Sequence, residues 1–224
     1  MYIWEDRLKK EEAVKELDNI FLKYKIKDEK NILGFRNNFI DYVKTLYEKD
    51  LKKEYDKKEL FYDFVELQKR IGIEVDLLSE YTMMTATNSK NLKQCFTPFE
   101  ATKIMAQITQ NEDSNTFYDC AAGTGQTLIT AYCDWCKKQK HYDDTLFHLV
   151  IADELDTYNA HCLIFNFASR GINAQVYQRD SIEQIVYEVW ICLYNKYGFS
   201  KIKNIKIDSE EFKENFHHKT GYLI

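Results

Sequence analysis

Apolar positions along the chain follow two different periods. Through residues 5–80 they recur at helical spacing, first as Phe35, Phe39, Tyr42, Val43, Leu46 and Tyr47, then as Leu60, Phe61, Phe64, Val65 and Ile71. Lys, Glu and Asp fill the positions between, so this part reads as a helical bundle with solvated, mixed-charge faces that could also dock a partner. Further on, the pattern changes to short apolar runs that end in glycine or acid. Residues 116–119, 146–152, 174–178, 187–194 and 203–208 read as strands, and residues 157–170 as an amphipathic helix stopped by Gly171. Asn88-Ser-Lys-Asn is the expected hinge, dividing the chain into a helical part over 1–88 and an α/β part over 89–224.

Two junctions carry local signals. At Thr97-Pro98-Phe99-Glu100 a helix opens with Thr97 as N-cap, Pro98 at the first helical position and Glu100 completing a capping box. Ile104, Met105 and Ile108 are then expected to face the core. Residues 116–131 read as a short buried strand, a tight glycine turn and the start of another helix. Gly123 and Gly125 permit positive φ, and amides at such a helix start can face a carboxylate or phosphate. Asp119 adds a negative charge at the carboxyl end of that strand, where open α/β sheets bind ligands.

Composition narrows the class. With 224 residues, 45% of them apolar, the chain can bury a real core. No run of 18 apolar residues occurs and the first residues show no signal pattern, so a cytoplasmic protein is expected. A net charge of −5 argues against a protein that holds DNA by itself, because duplex affinity comes largely from neutralised phosphates. The six cysteines (Cys95, Cys120, Cys133, Cys136, Cys162 and Cys192) sit in apolar contexts and read as reduced thiols, the Cys133-x-x-Cys136 pair included. No metal site is expected, since the adjacent His217 and His218 point different ways.

The second strand ends in Asp153-Glu154-Leu155-Asp156, and a carboxylate there suits ribose hydroxyls. Glu154 lies beyond the usual dinucleotide spacing and the third glycine is absent, which disfavours NAD. The third strand ends in Arg179-Asp180-Ser181. Three acids at adjacent strand tips around a glycine turn suit a ligand with cationic groups and several hydroxyl and amine donors.

These segments, in this order, resemble the cofactor-binding half of adenine-specific (amino) DNA methyltransferases, most closely the modification subunits of type I restriction systems. Gln94-Cys-Phe-Thr-Pro98 resembles the family's Gly-Gln-Phe-Phe-Thr-Pro, and Asp119-Cys-Ala-Ala-Gly-Thr-Gly125 its Asp-Pro-x-Cys-Gly-Thr-Gly. Ala152-Asp-Glu154, running on to Asn166 and Gly171, resembles its Gly-x-Glu segment and the following helix, and Asp180-Ser181 its Asp-Ser. The resemblance covers about residues 90–182 and implies a Rossmann-like fold that binds S-adenosylmethionine. By position, it implies that Phe96, Thr97 and Pro98 border the methionine end of that cofactor. Asp119, Ala121 and the amides near Gly123 and Gly125 would hold its amino and carboxylate groups, Glu154 its ribose, and Asp180 with Ser181 its adenine.

The family's catalytic Asn/Asp-Pro-Pro-Tyr/Phe is not found, because Pro98 is the only proline. Asn195 and Tyr197, after the fourth strand, offer the right chemical types in outline, with Lys196 between them. The expectation is a truncated doubly wound sheet whose edge is covered by a protein partner or a second copy. Such a protein would bind the cofactor, be impaired in methyl transfer and act in a restriction-modification or anti-restriction setting. An active adenine methyltransferase and a cofactor-free interaction protein are the alternatives.

Overall fold

The computed structural model describes residues 8–27, 34–48, 58–86, 97–109, 116–138, 149–195 and 199–212. Four helices come first: α1 (Lys10–Lys23), α2 (Gly34–Thr45), α3 (Glu59–Ile71) and α4 (Leu77–Ala86). They are followed by α5 (Phe99–Thr109), β1 (Thr116–Asp119), α6 (Gln126–Lys138), β2 (Leu149–Glu154), α7 (Thr157–Arg170) and β3 (Ala174–Asp180). β4 (Ile185–Tyr194), β5 (Ser200–Ile205) and the single turn α8 (Glu210–Phe212) complete the described chain. The hinge at 88–91, Phe96, Lys196, Tyr197 and His217-His218 lie outside the described residues.

The strands form one sheet in the spatial order β1-β2-β3-β4-β5. β1, β2 and β3 run parallel, with α6 and α7 as crossovers, whereas β4 and β5 return antiparallel. The order does not reverse, so among the described residues the sheet is not doubly wound as expected. Only residues 181–184 join β3 to β4, and a parallel return needs a crossover of a dozen or more residues, so the chain can only fold back on itself. β4 therefore carries Tyr194 away from the tip of β3 and back to its beginning, where the Tyr194 amide donates to Asn173 Oδ1 at 2.8 Å.

One apolar core joins the early helices to the sheet. Val150, Ala152, Val176, Trp190 and Cys192 from one sheet face share it with Ile129, Leu163, Phe167, Leu17, Phe21, Phe39 and Phe64. The opposite face carries a smaller cluster of Ile151, Tyr177, Val189 and Ile205, against which Phe212 packs. α7 lies between the sheet and the helices α2 and α3, and twelve of its 14 residues are buried. It is thus buried on nearly every side, the polar Asn159, His161, Asn166 and Ser169 included, because its outward face is covered by other helices.

Three further expectations are corrected. Ile104, Met105 and Ile108 are exposed, and α5 instead buries Phe99, Thr102 and Ala106. The helix is set by a close approach to α6, where the Thr102 and Thr130 hydroxyls lie 2.9 Å apart. α5 starts at Phe99, so the Pro98 carbonyl accepts the Thr102 amide at 3.1 Å, and Thr97 makes no side-chain cap bond among the described residues. β1 is not fully buried either: as the terminal strand of the described sheet it alternates exposed and half-buried positions.

Candidate functional site

The loop from β1 to α6 is fixed mostly by its own backbone. Asp119 Oδ1 accepts the Ala121 amide at 3.0 Å, the Ala122 amide donates to the Asp153 carbonyl of β2 at 2.9 Å, and the Gly125 amide donates to the Ala122 carbonyl at 2.9 Å. The two glycines answer different needs. Gly123, at φ +58°, has nothing within 4 Å of where a Cβ would stand, so it borders open space. Gly125, at φ +103°, would place a Cβ 2.6 Å from Leu163 Cδ1, so it is required by the packing of α7. Its amide is turned into the loop and is not available to a ligand, contrary to expectation. The amides that begin α6 have no intrahelical acceptor, and Gln126 and Thr127 line the cavity described below.

The acids at the end of β2 and just beyond it divide the work. Glu154 Oε2 accepts the Gly123 amide and Oε1 the Asp156 amide, both at 2.8 Å. Burial pushes its carboxyl above the ordinary range, and those two amides oppose the shift. Asp156 is the N-cap of α7, accepting the Asn159 amide at 2.9 Å. Asp153 is fully buried, accepts hydrogen bonds from Tyr118 and Ser181 at 3.2 Å each, and lies 3.7 Å from Arg179. At the tip of β3, Asp180 Oδ1 accepts the amides of Ile182 and Glu183 at 3.0 and 2.9 Å. Ser181 Oγ donates to the Cys120 carbonyl at 2.9 Å, drawing the β3 tip to the β1 tip.

A cavity of about 230 Å³ opens beside this turn. Thr97, Asp119, Ala121 and Gly123 line it, together with Ser79 and Met105. Of the other expected residues, Glu154, Asp180 and Ser181 do not line it: Glu154 is hydrogen-bonded to the Gly123 amide, and Asp180 and Ser181 stand at the tip of β3. Pro98 is exposed and is not part of the lining. Among the described residues Asp119 Oδ2 has no hydrogen-bond partner, so one oxygen shapes the loop and the other remains open to a ligand.

The profile of the family described as N-6 DNA Methylase matches residues 76–190, just over half of the chain. The chain belongs to the N-6 DNA methylase family. No curated protein and no solved structure matches it significantly.

The N-6 DNA methylase stretch starts at Asp76, a residue that sequence reasoning passed over. Asp76 is fully buried, and burial pushes its carboxyl upward. It caps α4 by accepting the Leu78 and Ser79 amides at 3.1 and 3.0 Å, and it accepts a short hydrogen bond from Thr124 Oγ1 in the glycine turn. Asn166 Nδ2 donates at 2.9 Å both to Asp76 Oδ1 and to the Thr124 carbonyl. The turn is therefore anchored from α4 and α7 together. An Asp immediately before an apolar helical run was the signal available for it.

Leu155 and Ile182 were passed over as well. They are 54% and 90% exposed, one directly after Glu154 and the other two residues after Asp180. Apolar side chains left in water at two adjacent strand tips suit the faces of a flat ring.

Asn195 lies outside the N-6 DNA methylase match and at the wrong end of the sheet. β4 pairs Cys192 with Ala174, while the acid of β3 is Asp180, so about 20 Å of strand separates them. The Cys133 and Cys136 thiols are pushed up to about 12 and about 11 by burial, which keeps both protonated at neutral pH.

Proposed function

We propose that this chain binds S-adenosylmethionine at the β1–α6 turn, does not by itself transfer its methyl group to DNA, and acts through a protein partner. The observation that carries the reading is the convergence of Asp119 and Gly123 on one cavity, with Glu154 hydrogen-bonded directly to Gly123. N-6 DNA methylases use S-adenosylmethionine, which supplies an electrophilic methyl on a sulfonium.

The donor set fits that molecule. The open oxygen of Asp119 suits an ammonium, and the first amides of α6 suit a carboxylate. Glu154 has accepted one amide on each oxygen and retains lone pairs for ribose hydroxyls. Asp180 keeps a second oxygen without a partner among the described residues for an amine, while Leu155 and Ile182 offer apolar surface to a ring. Acids around the site also favour a nearby cation.

Methyl transfer to an exocyclic amine needs a group that accepts its hydrogens beside the cofactor. The chain has no Pro-Pro, and Asn195 is held at the other end of the sheet. A partner would supply DNA contact, in line with the net charge of −5. A restriction-modification or anti-restriction complex is the setting we favour.

Labelled S-adenosylmethionine tests both halves. The purified chain is expected to retain the label on a filter and to transfer none of it to unmethylated DNA. Incorporation into DNA by the chain alone would overturn the claim of impaired transfer.

A further inference from the structure

A second cavity, of about 350 Å³, lies at the end of the sheet opposite the glycine turn, between the start of α3 and the start of β5. Its wall is aromatic. The Phe199 ring stands edge-on to Phe61 at 5.3 Å and to Tyr62 at 5.7 Å, so three rings hold one another in place. Ala168 and Ile202 give it an apolar floor, and Tyr62 remains half exposed above it. The frame beneath is firm, because Ser200 Oγ donates to the Ile172 carbonyl at 2.7 Å.

The mouth carries positive charge. Lys58 and Lys201 both line the cavity, and neither forms an ion pair among the described residues. Seven other lysines of the described chain are paired with acids; Lys58 and Lys201 belong to the rest, and both stand at one cavity mouth in a chain of net charge −5. Lys58 is also the N-cap residue of the 13-residue α3, whose amino end adds positive potential. Glu59, the acid of that first turn, is not part of the lining.

We propose that this cavity takes an aromatic base carrying a phosphate. The base would pack against Tyr62 and Phe199 over the apolar floor, and the phosphate would meet Lys58 and Lys201. A purely apolar ligand would leave the two lysines unanswered, and a bare anion would leave the ring-lined cavity empty. The site stands apart from the β1–α6 turn and does not depend on cofactor binding there.

Two probes separate the sources of such a group: adenosine monophosphate, and a single-stranded oligothymidylate of twelve nucleotides. Calorimetric titration of the whole chain is expected to show binding of at least one. Binding of the mononucleotide points to a free nucleotide, and binding of the oligomer alone points to a single strand. The double variant K58E/K201E should weaken that binding at least tenfold and flatten its salt dependence, Tyr62→Ala should weaken it, and Asp119→Ala should leave it unchanged. Should K58E/K201E fail to fold, K58Q/K201Q carries the same test. Failure of both probes to bind, equal binding by the charge variants, or loss of binding in Asp119→Ala would overturn the proposal.

Discussion

The Glu154 carboxylate accepts the Gly123 amide at 2.8 Å, which ties the tip of β2 to the open turn of β1. The same side chain holds the Asp156 amide at the start of α7. Glutamine at this position keeps one acceptor oxygen and loses one charge-assisted hydrogen bond, a change of about 2 kcal/mol. Glu154→Gln is expected to lower the thermal midpoint by about 4–8 °C and to weaken S-adenosylmethionine at least tenfold. An unchanged midpoint would mean that the two amide bonds do not hold the turn.

The two glycines of the turn should differ on substitution. Gly125→Ala meets Leu163 Cδ1 at 2.6 Å and is strained by its φ of +103°, so a loss of about 3 kcal/mol is expected. Gly123→Ala has open space and bears only the conformational cost, about 1 kcal/mol. Urea unfolding of the two variants measures the difference, and the reverse ranking would contradict the assigned roles.

Asp76 joins α4, the glycine turn and α7 through a single buried carboxylate. Asp76→Ala leaves several buried donors without an acceptor and is expected to destabilise the fold by about 4 kcal/mol. Asp76→Asn keeps an acceptor oxygen and should cost about half as much. Equal losses in calorimetric unfolding would show that the hydrogen bonds to Thr124 and Asn166 contribute little.

His161 makes stability sensitive to acid. Its ring is buried against Trp190, bonded to the Thr157 carbonyl at 2.7 Å, and burial lowers its pKa to about 4. The unfolded chain takes up the proton at its ordinary value while the folded chain resists, so stability is lost as pH falls. The loss from this group between pH 7 and pH 5 is about 2 kcal/mol. His161→Gln should reduce the acid-side loss by that amount in urea melts at the two pH values, and identical profiles would place the proton elsewhere.

Much of the turn was legible in the sequence because its chemistry is local. Gly123, Asp119 and Asp156 act on neighbours in the chain or on the adjoining strand, and residue type announces such roles. The need for glycine at 125 depends on Leu163, 38 positions away in sequence, and no local signal carries that contact. The rotation of α5 was hidden for a related reason. Ile104, Met105 and Ile108 satisfy a helical period as well as Phe99, Thr102 and Ala106 do, and only the Thr102–Thr130 contact decides between the two faces. The direction of β4 could have been read, since the eight residues between the runs 174–178 and 187–194 are too few for a parallel crossover. Its consequence for Asn195 follows from that count alone.

Calorimetric titration of S-adenosylmethionine into the wild-type chain and Asp119→Ala is the most direct measurement of the central claim. The site described predicts saturable one-to-one heat with wild type and at least a tenfold loss with Asp119→Ala, at a thermal midpoint close to wild type. A wild-type chain that gives no binding heat, or equal affinity in the two proteins, would contradict it.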